Sequence, residues 1–161
     1  IEVLRGTPIL LQLYFFWLVL PKVSPISMSD TACIIIALIV NSSSYISEII
    51  RAGIQAVDKG QTEAAKSLGM SSFITLRYII LPQAVKNILP ALGNQFILTV
   101  KETSLASVFF VGELMTAYKS VQSATFLSVS SLAIAGIIYL VVTYSLSKVV
   151  GIAEKRLAVS S

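Results

Sequence analysis

The chain has 161 residues, 55% of them hydrophobic and 12% charged, with a mean hydropathy of +0.85. A soluble domain carries about 25% charged residues, so this composition suits lipid; the net charge of +4 rests on few residues and says little about nucleic acid, and no nucleic-acid partner is expected. The absence of histidine removes the commonest general base, the usual metal ligand and any Ser–His pair, so neither a metal nor a catalytic residue is expected.

The length suits one domain, residues 1–161, on a prior of roughly 150 residues each. Four apolar blocks organise it. The first, Pro8 to Leu20, lies between Arg5 and Pro21-Lys22 and is shorter than the ~20 residues a spanning helix needs. It is either the remainder of a helix that starts upstream or a re-entrant piece. The second, Thr31 to Ile50, is long enough to cross a bilayer. It holds Cys33, which reads as a small core residue and, being alone, forms no intrachain disulfide. The polar string Asn41-Ser42-Ser43-Ser44 in this block suits either glue between membrane helices or the lining of a path.

Between the second and third blocks lies a more polar segment, Arg51 to Lys86. Asp58 with Gln61 three positions on resembles a capping box, which predicts a short helix over Lys59–Leu68 stopped at Gly69 in a left-handed C-cap. Ser71 or Ser72 caps a second short helix through Tyr78, with Pro82 punctuating its end and opening the next membrane helix. The third block, Ile88 to Gly112, is broken by Pro90 and Gly93, which are expected to shape a bend. The fourth runs from Ala124 to Lys148.

Lys101 and Glu102 lie inside the third block, where a buried charge costs roughly 2.5–3.5 kcal/mol on insertion scales. Adjacent on a helix, they point about 100° apart and cannot pair with each other. An ion pair to another helix, a place in the transport path or gate, and snorkelling to the interface are all open to them. Eight basic residues fall in Arg51–Lys86 and in the tail (Lys148, Lys155, Arg156), against Lys22 and Lys119 on the other side. By the positive-inside rule the middle segment and the C-terminus are expected in the cytoplasm, with Lys119 outside.

Glu63-Ala64-Ala65, three residues, Gly69, nine residues, then Ile79-x-Leu81-Pro82 resembles the signature loop of ABC importer permeases at every fixed position. Arg5-Gly6-Thr7-Pro8-Ile9-Leu10-Leu11-Gln12, Tyr45–Ile54, Leu81-Pro82-Gln83-Ala84, Gly93-Asn94-Gln95-Phe96 and Lys101-Glu102-Thr103-Ser104-Leu105 are similar to stretches of the polar amino-acid uptake branch of that family, the glutamine, histidine and arginine type. Ser44 and Ser47 stand where that branch has alanine, Ala52 replaces a glycine, and Glu102 replaces the usual aspartate.

The resemblance implies an all-α, polytopic membrane helix bundle in the bacterial cytoplasmic membrane, with its first helix absent from this chain. It implies an EAA coupling loop at about residues 55–82, with Glu63, Ala64, Ala65, Lys66, Gly69, Leu81 and Pro82 engaging an ATPase. Asn41, Asn94, Lys101, Glu102, Thr103 and Ser104 are the candidate path or gate residues. The implied partners are a cytoplasmic ABC ATPase dimer, a second permease subunit, an extracytoplasmic substrate-binding protein, an amino acid and the bilayer. The chain has no G-x-x-x-x-G-K-[ST], so no cofactor is expected on it, and ATP and magnesium fall to the partner ATPase. The alternative is a channel or secondary transporter independent of ATP.

Overall fold

A computed structural model describes residues 1–159. These are helical nearly throughout: α1 (Glu2–Gly6), α2 (Ile9–Val23), α3 (Asp30–Gln55), α4 (Lys59–Ser67), α5 (Ser72–Thr75), α6 (Leu81–Glu102), α7 (Leu114–Thr125) and α8 (Ser128–Val159). A π-helical turn, Leu76–Ile80, joins α5 to α6, and a 3-10 segment, Thr103–Phe109, follows α6. Of these, α3 and α8 are long and apolar enough to cross a membrane. The 26 residues of α3 extend about 39 Å. The side chain of Arg156, counted with the basic tail, lies outside the described ones.

Contacts group the chain into two compact units, Ile1–Ser44 with Phe96–Leu146, and Tyr45–Gln95 with the chain from Ser147 on. In the first unit Leu13, Ile34, Ala37, Ala106 and Phe109 form a buried cluster, flanked by Ile9, Phe16, Trp17 and Leu105. Phe109 meets Tyr14 edge-on at 4.7 Å and Trp17 at 5.5 Å between ring centres. The Trp17 indole N–H donates to Asp30 at 2.8 Å, so the polar end of the ring is satisfied where α3 begins. Cys33 is fully buried, as its apolar surroundings in sequence suggest.

Polar groups tie this unit together. The Gln12 amide donates to the carbonyls of Leu4 (2.6 Å) and Thr7 (3.1 Å) and to the Thr7 hydroxyl (2.9 Å), while its oxygen accepts from Asn41 Nδ2 at 3.0 Å. The hydroxyls of Ser42 and Thr99 lie 3.2 Å apart, linking α3 to α6. Asn41 and Ser42 therefore act as glue between helices, one of the two roles open from sequence.

In the second unit two glycines allow close approach. A Cβ at Gly53 would collide with the Ile88 side chain, and one at Gly93 with Val150. Gly93 thus makes room for α8, and α6 runs on through both Pro90 and Gly93. The expected stop before Pro82 is absent. Leu81 N–H donates to Leu76 O, five residues back, so the helix widens by one residue immediately before a ring that cannot donate to a carbonyl. Likewise α2 continues through Pro21 to Val23.

Candidate functional site

The loop between α3 and α6 forms as two short helices around a sharp turn. Asp58 opens α4, its carboxylate accepting from Gly60 N–H at 2.6 Å. The reciprocal bond from Gln61 that a full capping box requires is not made among the described residues. At the other end Gly69 N–H donates to Lys66 O (2.9 Å) and Met70 N–H to Ala65 O (3.1 Å), the paired bonds of a Schellman cap. Gly69 has φ +78°, the left-handed conformation that its place after Leu68 predicts. Ser71 caps α5 by accepting from Ile74 N–H, and the expected second helix ends at Thr75 where the π turn begins, not at Tyr78.

Of the signature residues, Glu63, Ala64, Lys66 and Gly69 are exposed, and Pro82 with them. Ala65 is buried, so the two alanines do different work: Ala65 packs inward and only Ala64 faces out. Sequence reasoning passed over Leu68 (82% exposed), Phe73 (75%) and Tyr78 (66%), the most exposed of the large apolar side chains on this segment. Arg77 stacks over the Tyr78 ring at 5.4 Å. Upstream, Glu48 and Arg51 form an ion pair one turn apart on α3, with Gln55 accepting from the same guanidinium.

In the first unit, a cleft of about 560 Å³ opens where the end of α6, the 3-10 segment, α7 and α8 meet. Lys101, Ser104, Ser107, Lys119 and Tyr139 supply its polar lining. Lys119 Nζ donates to the Ser107 carbonyl (3.1 Å) and hydroxyl (3.3 Å). Glu113 caps α7, accepting from Met115 and Thr116 N–H at 2.7 and 2.6 Å, and also accepts from the Tyr139 hydroxyl at 3.2 Å.

The candidate path residues have different surroundings. Lys101 and Ser104 line this cleft; Asn41 is 2% exposed and engaged with Gln12; Asn94 is an exposed residue of the other unit. Thr103 donates back to Val100 O at 2.7 Å. Neither Lys101 nor Glu102 makes an ion pair among the described residues, so the pairing of these charges to another helix is not realised within the chain. Glu102 keeps one carboxylate oxygen buried without a partner.

The family model for the binding-protein-dependent transport system inner membrane component matches residues 1–159. The chain belongs to that family. A nopaline transport system permease protein of Agrobacterium fabrum is 40% identical over 163 residues, covering 96% of this chain and 68% of the relative. An arginine transport system permease protein of Bacillus subtilis is 39% identical over 156 residues (97% and 71%), and a glutamine transport system permease protein of Escherichia coli 35% over 160 (99% and 73%). This inner-membrane component therefore spans roughly 70% of the length of such relatives. The solved structure of an amino acid ABC transporter with histidines superposes with a TM-score of 0.88 at 46% identity, covering 96% of this chain and 72% of that one. A methionine ABC transporter, 15% identical at a TM-score of 0.79, shares the fold. The all-α permease architecture expected from the motifs is the one this family member has.

Proposed function

We propose that the chain is the membrane-spanning subunit of an ATP-driven amino-acid importer, alternating between outward- and inward-open states. The observation that carries this is the complete signature loop, folded as two capped helices about a left-handed Gly69, in a chain of this family. The permeases it is similar to are named for nopaline, arginine and glutamine, which supports a polar or charged amino acid as cargo.

In this reading α4 and α5 dock on a cytoplasmic ATPase, offering Glu63 and Lys66 as polar contacts and Leu68 and Phe73 as apolar ones. ATPase closure then passes through the continuous helix α5–π turn–α6 as a rigid-body shift. ATP and magnesium reside on that partner. A second permease subunit completes the path, an extracytoplasmic binding protein delivers the cargo, and the C-terminus lies in the cytoplasm.

Reconstitution in vesicles with candidate ATPase and binding-protein partners tests it. Amino-acid-loaded binding protein should stimulate hydrolysis several-fold, and uptake should stop when ATP is withdrawn. Uptake that ignores ATP and collapses with the proton gradient would establish the secondary-transporter alternative instead.

A further inference from the structure

We propose that the end of α3 and the first turn of α4 form a seat for an anionic phospholipid, with its phosphate at Lys59 and Thr62; this rests on the cytoplasmic placement of the loop in the reading above. A cavity of about 440 Å³ lies within the second unit. Ile54 and Gln55 at the end of α3, Val57 just beyond it, Lys59 and Thr62 on α4, and Ile80 in the π turn line it. Residues 31–47 of α3 carry no charge and rise about 26 Å, close to the hydrocarbon core of about 30 Å. Asp30 stands before that run, and Glu48 and Arg51 after it. The whole of α3, about 39 Å, matches a bilayer with its headgroups, about 40–45 Å. Ile54 and Gln55 therefore reach headgroup depth, and the cavity opens where a phospholipid phosphate lies.

The lining suits an amphiphile. Ile54, Val57 and Ile80, all half-buried, offer apolar wall, while Gln55, Lys59 and Thr62 offer donors. Neither the Lys59 ammonium nor the Thr62 hydroxyl makes a hydrogen bond or ion pair among the described residues. The Gln55 oxygen accepts from Arg51 at 3.3 Å, which leaves its amide N–H groups to donate. Arg51 is neutralised by Glu48. Asp58, the acid beside Lys59 in sequence, is not part of the lining and caps α4 through Gly60 N–H. Lys59 is thus the one charge on the lining, and nothing there balances it. A zwitterionic headgroup brings an ammonium of its own, which repels Lys59; an anionic one brings only the complementary charge. Basic pockets on the cytoplasmic side of membrane proteins hold anionic headgroups in this way.

Photo-crosslinking of the assembled permease–ATPase complex in lipid nanodiscs tests the seat, with phosphatidylglycerol and phosphatidylcholine probes that carry a diazirine beside the headgroup. Peptides covering residues 54–62 should label about fivefold more with phosphatidylglycerol, the effect of one basic residue at an anionic surface. Lys59→Met should erase that preference while the complex elutes intact, and Lys59→Arg should keep it. Thr62→Val should weaken phosphatidylglycerol labelling as well. Equal labelling by the two probes in the native complex, or a preference unchanged in Lys59→Met, overturns the seat. Displacement of the probe by millimolar inorganic phosphate overturns it too, since the cavity would then take the free ion. So does a high-yield disulfide from Thr62→Cys to the ATPase, which would make the occupant a protein. Thiol labelling of Ala64→Cys from the cytoplasmic side, measured separately, reports on the placement of the loop alone.

Discussion

Gly69→Val should leave the permease inserted and assembled with its partner subunit while lowering ligand-stimulated ATP hydrolysis tenfold or more. The turn after α4 is held by two backbone bonds that close only when Gly69 is left-handed, at φ +78°. A Cβ there would touch nothing within 4 Å, so packing adds no cost. The penalty is backbone strain, about 1–3 kcal/mol for a non-glycine residue held in this region and greatest for a β-branched one. An exposed nine-residue helix relieves such strain most cheaply by letting the turn open, which re-aims Glu63, Ala64, Lys66 and Leu68 together. Gly69→Asn should recover most of the coupling, because asparagine tolerates the left-handed region. Hydrolysis still stimulated to the native level in Gly69→Val would show that this turn does not aim the loop.

Gln12→Leu should lower stability by about 2–5 kcal/mol, read as a fall in the complex's thermal midpoint. Gln12 is 6% exposed and serves the carbonyls of Leu4 and Thr7 while accepting from Asn41, itself 2% exposed. Asn41 Oδ1 already lacks a partner, so removing Gln12 leaves the whole Asn41 amide unsatisfied. Each buried group stranded this way costs about 1–3 kcal/mol, whereas replacing both partners by apolar groups is nearly neutral. Hydrogen bonds between membrane helices average about 0.6 kcal/mol in double-mutant cycles, which sets the low end of the range. Gln12→Leu combined with Asn41→Leu should therefore be more stable than Gln12→Leu alone. A double variant that loses the sum of the two single losses would place no coupling between these amides.

Local rules carried the sequence far at the loop. Asp58, Gly69 and Ser71 are caps whose chemistry is legible from one residue and its neighbours, and each does what its type predicts. Pro82 misled, because it reads as the end of the second short helix only if the helix cannot adjust. A π turn before Pro82 absorbs the missing donor, and α6 runs on through Pro90. The ends of the 3-10 segment and of α7 have a cause no period reveals: Phe110 and Phe126, which close them, adopt φ of 57° and 59°. Bulky aromatic residues rarely do so, and nothing in their local sequence announces it. The cleft was illegible for another reason. Lys119 meets Ser107 across twelve positions and Glu113 meets Tyr139 across twenty-six, and one sequence does not show which distant residues fold together.

Coupling through the signature loop is tested most directly by disulfide crosslinking from Ala64→Cys to single cysteines on the ATPase. Ala64 is exposed on α4 beside buried Ala65, and the native Cys33 is fully buried, so the introduced thiol reports alone. Crosslinks should form in high yield in the assembled complex, and locking them should abolish transport until reductant restores it. Absence of any crosslink in a complex that transports amino acids normally would mean that the ATPase docks elsewhere.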